Sequence, residues 1–105
     1  MGIMSALGTE FKINVHAEPI DGLHMSGYDF EVALFVYTNR KVVFPKSTMK
    51  KVDDDNYLVI VDSVNALKLG RGAVNMEFTA HIPDADFNDG LRTEKSIVCT
   101  GVTIV

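Results

Sequence analysis

Between Val74 and Ile82 every second residue is apolar: Val74, Met76, Phe78, Ala80 and Ile82 alternate with Asn75, Glu77, Thr79 and His81. Successive side chains of an extended chain point to opposite faces, so such a run buries one face and wets the other. A helix repeats every 3.6 residues and would scatter this stripe around its surface. The period of two recurs elsewhere. Phe11, Ile13 and Val15 alternate with Lys12, Asn14 and His16, and Phe30, Val32, Leu34 and Val36 share one face of Tyr28–Tyr37. Tyr57-Leu-Val-Ile-Val61 is rich in β-branched residues and too short for a buried helix. Lys41–Phe44 reads as a further short strand, which Pro45, lacking an N–H, either ends or marks as an edge. Arg92–Val105 makes one long strand or two, with a bulge expected at Gly101.

The intervals between these runs are turns and connections. Pro19–Gly27 holds a proline and two glycines, Thr38–Arg40 is a short turn, and Lys46–Lys51 is polar and expected to be irregular. Asp53–Asn56 is a turn, Leu69–Gly72 breaks the chain, and Asp62 with Ser63 suits the cap of a single helical turn over Val64–Leu67. Six to eight short strands at this spacing predict an all-β, antiparallel two-sheet sandwich of immunoglobulin-like type. Residues 9–105 form that β-sandwich domain, preceded by a flexible N-terminal arm over residues 1–8.

At 105 residues the chain can bury a core without a disulfide or a structural metal. Its net charge of −4 provides no basic footprint for nucleic acid or for an anionic membrane surface. Cys99 is the only cysteine, so no internal disulfide forms, which fits a reducing cytoplasm. Met1–Gly8 is apolar but lacks a positively charged leading region, and Glu10 and Lys12 cut the run short, so no secretory signal is expected. Gly2 suggests myristoylation, yet that motif asks for Ser or Thr where Ala6 stands. No apolar run approaches the roughly 18 residues of a membrane span.

Asp84, Asp86 and Asn88 fall where a helix-flanked calcium loop places its first three oxygen ligands. Gly90 then arrives one residue late and Lys95 replaces the bidentate glutamate, so the segment reads as a hairpin connection whose Asp, Asn and Gly serve their own backbone. Asp53-Asp54-Asp55 reads as a solvated hairpin tip. His16 and His81 lie on polar strand faces and His24 in a connection, without metal-ligand spacing. The sequence carries no nucleophile elbow, phosphate-cradling glycine loop or HExxH, and its glutamates are dispersed. Neither enzymatic activity nor a cofactor or metal is expected.

Two segments carry more apolar surface than a two-layer sandwich needs, since one face of each strand can stay wet. Tyr28–Tyr37 is apolar on its second face through Ala33, Phe35 and Tyr37. Ile97 and Cys99 lie on one side of the last strand, and Val98, Val102 and Ile104 on the other. Either the chain's own loops and arm cover this surplus or a partner does. On the second reading Phe35, Tyr37, Ile97, Cys99 and Ile104 are the candidate partner contacts, with Met1–Leu7 as an accessory.

Lys51-Val-Asp-Asp-Asp-Asn-Tyr-Leu-Val-Ile-Val-Asp62, Ala80–Glu94 and the closing Thr100-Gly-Val-Thr-Ile104, taken with Tyr28–Tyr37, add a further lead. Together they resemble small immunoglobulin-like β-domain virion proteins of phages and prophages of gut Bacteroides-type bacteria, including crAss-like phages. The layout is also similar to the N-terminal domain of phage baseplate upper proteins, and the resemblance spans most of residues 9–105. It implies a non-enzymatic structural protein, made in the bacterial host cytoplasm and built into the virion. Such a protein packs against copies of itself and against capsid, tail or fibre components. The alternative is a carbohydrate- or calcium-binding accessory module at a bacterial cell surface.

Overall fold

The computed structural model describes residues 3–37 and 41–105, Ile3 by its backbone alone. The turn read at Thr38–Arg40 and the first two residues of the arm, Gly2 included, lie outside the described residues. Within them run β1 (Ile3–Ser5), β2 (Phe11–His16), β3 (Asp29–Phe35), β4 (Val42–Pro45), β5 (Lys50–Asp53) and β6 (Asn56–Val61). Helix α1 (Ser63–Leu69) follows, then the long strands β7 (Gly72–Pro83) and β8 (Leu91–Ile104). Short 3-10 turns occupy Met25–Gly27 and Lys46–Thr48, and none of the described helices is long and apolar enough to cross a membrane.

The strands form a five-stranded sheet in the order β1-β8-β7-β3-β4 and a three-stranded sheet in the order β2-β6-β5. Their apolar faces meet in one core, to which Ile13, Val15, Val59 and Val61 come from the smaller sheet and Phe30, Val32, Leu34, Val74 and Ile82 from the larger. The chain is therefore all-β and sandwich-like. At its centre the Phe30 ring meets Tyr57 and Phe78 edge to face, with centroids 5.1 and 5.3 Å away.

The alternation pattern predicts purely antiparallel sheets, but the larger sheet is mixed. Residues 3–5 of the expected arm form β1, which runs parallel to β8 and pairs Ile3 with Val102 and Ser5 with Ile104. The N–H of Val105 donates to the Ser5 carbonyl and that of Leu7 to the Val105 carbonyl, closing the lane. Lys46–Lys51 is likewise more regular than its polarity implied. A 3-10 turn runs directly into β5, whose four residues are all exposed. A strand with no buried face leaves no alternation to read.

Helix α1 forms where expected, with the Asp62 carboxylate accepting the Asn65 N–H at 2.9 Å and Gly70 at φ 76° ending it. Gly72 then starts β7 at φ 135°, where a Cβ would lie 2.6 Å from Val36 Cγ1 and 2.9 Å from the Tyr37 ring. Replacing Gly72 with alanine is expected to destabilise the fold by about 1–2 kcal/mol, through strain and collision together. An unchanged urea midpoint in that variant would contradict this packing.

The bulge expected at Gly101 is present. Between Ala73 and Asn75 the β7–β8 register shifts, so that Thr100–Val102 stand opposite Val74, and Gly101 takes φ 82°. The Thr100 hydroxyl staples the distortion, donating to the Val74 carbonyl at 2.8 Å and accepting the Val102 N–H at 3.1 Å.

Candidate interaction surface

The five-stranded sheet is wider than the three-stranded one, and β8 overhangs it. Pairing places Arg92, Glu94, Ser96 and Val98 on the same face as the buried Ile82, Ala80, Phe78 and Met76. No strand of the smaller sheet covers them, and β8 stays largely exposed from Leu91 to Gly101. This explains why charged residues point inward there. Arg92 fills part of the gap, donating to Asp21 at 2.9 Å, Asp84 at 3.1 Å and Glu94 at 3.3 Å. Beside it a shallow cleft of ≈ 330 Å³ is lined by Ile20, Phe78, Glu94, Lys95 and Ser96.

The overhang also separates the candidate contacts. Ile104 lies beyond the bulge, where β1 flanks it, and is only 2% exposed. It belongs to the core and is not a surface contact. Val98, on the same side in sequence, is 45% exposed, with none of the described strands packed over it. Ile97 is 63% exposed, and Cys99 is also exposed, its thiol donating to the Asn75 side-chain oxygen at 3.5 Å. Both lie on the outer face of the sheet, level with Glu77 and Asn75.

Phe35 is on that outer face too, paired with Asn75, but is half-buried beneath Lys41. The Lys41 ammonium stands 5.4 Å from the Phe35 ring and 3.1 Å from the Glu77 carboxylate. Tyr37 lies past the end of β3 in a turn with φ 52° and is 75% exposed. The outer face thus carries Phe35, Ile97 and Cys99, with Tyr37 at its rim and a Lys41–Glu77 ion pair across its middle. Val43 of β4, opposite Ala33, adds an exposed apolar residue that the sequence reading did not single out.

At another place the structure shows a polar clasp. The β5–β6 turn holds down the connection between the sheets. Asp53 accepts the Asp55 N–H at 2.9 Å and the Asn56 side chain at 2.8 Å. Asp54 accepts Lys51 at 3.0 Å and the Ser26 hydroxyl at 3.1 Å, and His24 Nδ1 lies 2.9 Å from both Asp55 oxygens. His16 joins the same turn through Asn56 at 3.2 Å and reaches Glu18 at 3.2 Å, a contact that raises its pKa. The third histidine, His81, is on the other sheet, 3.7 Å from Glu31.

The hydrogen bond from Asn56 holds the Asp53 carboxyl below its ordinary value, and the bond from Lys51 does the same for Asp54. Groups with depressed folded pKa values stabilise the native state above their unfolded value and lose that contribution as pH falls through the folded one. The clasp is therefore expected to loosen in acid. Native-state hydrogen exchange should show residues 24–26 losing protection on acidification beyond the intrinsic rate change, less so in Asp54→Asn. Equal protection changes in both proteins would contradict the clasp.

The acidic loop between β7 and β8 is a hairpin connection, as read. Asp84 accepts the Asp86 N–H at 3.0 Å, Asp89 accepts that of Leu91 at 3.0 Å, and the Asp84 N–H donates to the Gly90 carbonyl at 2.8 Å. No cluster of three or more His, Cys, Asp or Glu side chains is placed to hold a metal among the described residues. No protein-family model matches the chain, and neither a curated protein nor a solved structure matches it.

Proposed function

We propose that this chain is a non-enzymatic structural module of a phage particle. It packs through the outer face and edge of its larger sheet against copies of itself and against capsid, tail or fibre components. The observation that carries this reading is the apolar exposure on one sheet: Ile97, Cys99, Val43 and Tyr37 are open to solvent on or beside the same surface. Exposed apolar residues gathered on and around one sheet face offer area for a partner to cover. The likeness of Lys51–Asp62, Ala80–Glu94 and Thr100–Ile104 to virion β-domains supplies the biological setting.

The finer fold reading is immunoglobulin-like. The smaller sheet, β2-β6-β5, has the order of strands B, E and D in such domains, and β8-β7-β3-β4 has that of G, F, C and C′. The direct test of the surface is a Phe35→Asp/Tyr37→Asp double variant followed by light scattering and electron microscopy. Loss of assembly with an unchanged circular dichroism spectrum supports the reading. Assembly indistinguishable from the parent sinks this surface.

A further inference from the structure

We propose that copies of this chain join edge to edge, β4 of one copy adding to the open stretch of β8 in the next. Five-stranded sheets then continue from copy to copy. This inference rests on the reading of the chain as a multi-copy structural module and specifies its contact.

Among the described residues the β8 edge is open over most of its length, since β1 pairs with Val102–Ile104. The bond from the Asp84 N–H to the Gly90 carbonyl makes that pair a hydrogen-bonded one, and the register runs unbroken from Pro83↔Leu91 to Asn75↔Cys99. Hydrogen-bonded pairs alternate along an antiparallel ladder. Arg92, Glu94, Ser96 and Val98 therefore bond to β7, whereas Thr93, Lys95, Ile97 and Cys99 direct their backbone N–H and C=O groups to the free side. An unpaired row of this kind is a template for another strand, and proteins blunt such edges with charge, proline or bulges. Here the charges are Arg92, Glu94 and Lys95, and the bulge is at Gly101. The five residues between them, Ser96-Ile-Val-Cys-Thr100, have no such protection.

A two-fold pairing of β8 with itself is blocked. Centring that uncharged run on its own copy, at Ile97 or Val98, brings the partner's β1 into the lane that Arg92 of the first copy occupies. Among the described residues no strand flanks the opposite edge of the same sheet, β4. β4 is four residues long and carries no charge, so it fits the lane between Arg92 and β1; on its free side Val43 offers both N–H and C=O, and Pro45 a carbonyl alone. Its Val43 is 51% exposed on the same outer face as Ile97. Joining two different edges is a heterologous contact, which leaves a free β4 and a free β8 at the ends and produces open chains of copies.

Sedimentation velocity on Val43→Lys, Ile97→Lys and their equimolar mixture tests this directly. Both positions are exposed, and circular dichroism checks that each variant folds. The wild type is expected to form a ladder of oligomers and each variant alone to remain a monomer. The mixture should form a dimer with one of each and nothing larger, because each variant retains one intact edge. Glutamate at the same two positions should reproduce the pattern, separating edge blocking from a change of net charge. Wild-type assembly that survives both substitutions, or a mixture that stays monomeric while the wild type assembles, overturns the edge contact but leaves self-association standing. A wild type that never self-associates overturns both.

Discussion

Replacing Phe30 with alanine is expected to cost roughly 3–5 kcal/mol, the range for truncating a fully buried phenylalanine. Phe30 sits on the middle of β3 and is almost completely buried. Its ring joins the two sheets, meeting Phe78 within its own sheet and Tyr57 across the core, with Tyr28 at 6.0 Å. Removing it strips three aromatic partners of their contacts and leaves a void that neighbouring β-strands, pinned by their ladders, cannot collapse to fill. For a domain of this size such a loss is a large share of the whole stability. Urea unfolding should show a midpoint far below that of the wild type. A loss under about 1 kcal/mol would mean that the two sheets do not pack through this ring.

Lys46→Met is expected to cost about 2–3 kcal/mol, although it exchanges one long side chain for another. The Lys46 ammonium donates to the carbonyls of Tyr28 at 2.8 Å, Met25 at 3.0 Å and Ser26 at 3.3 Å. It also stands 5.5 Å from the Phe30 ring and 5.7 Å from that of Tyr57. One cation thus gathers the carbonyls of the 3-10 turn between the sheets and lies against the aromatic centre. Methionine keeps the apolar stem but leaves the carbonyls without their donor. Partial burial lowers the Lys46 pKa, so its own linkage makes the wild type gain stability as pH rises toward the ordinary lysine value. Comparing the variant with the wild type over that alkaline range isolates this gain. Equal urea midpoints at neutral pH would show that the three bonds are replaced by water at no cost.

Strands with one wet face were legible in the sequence because they carry their own period. The Val74–Ile82 stripe is the buried face of β7, and the Phe11–Val15 alternation is that of β2. β1 and β5 were not legible, for two reasons. β1 has only three residues, and β5 has no buried face to create a period. The surface was legible in part. Ile97 and Tyr37 are exposed as the surplus of apolar residues implied, whereas Val98 and Ile104 share a side of β8 and differ completely in burial. What separates them is the Gly101 bulge together with the lane taken by β1, and neither the cover nor its absence is written in residues 97–104. The Lys46 clasp was invisible for a similar reason, since its acceptors are backbone carbonyls about 20 residues away along the chain.

On the proposed reading this domain is joined to copies of itself and to other components. The most direct measurement is the weight-average mass of the purified wild-type chain, by sedimentation equilibrium, over a series from dilute to concentrated solution. Self-association should make the mass climb from the 11.6 kDa monomer through multiples of that value as concentration rises. A mass fixed at 11.6 kDa throughout the series would contradict it.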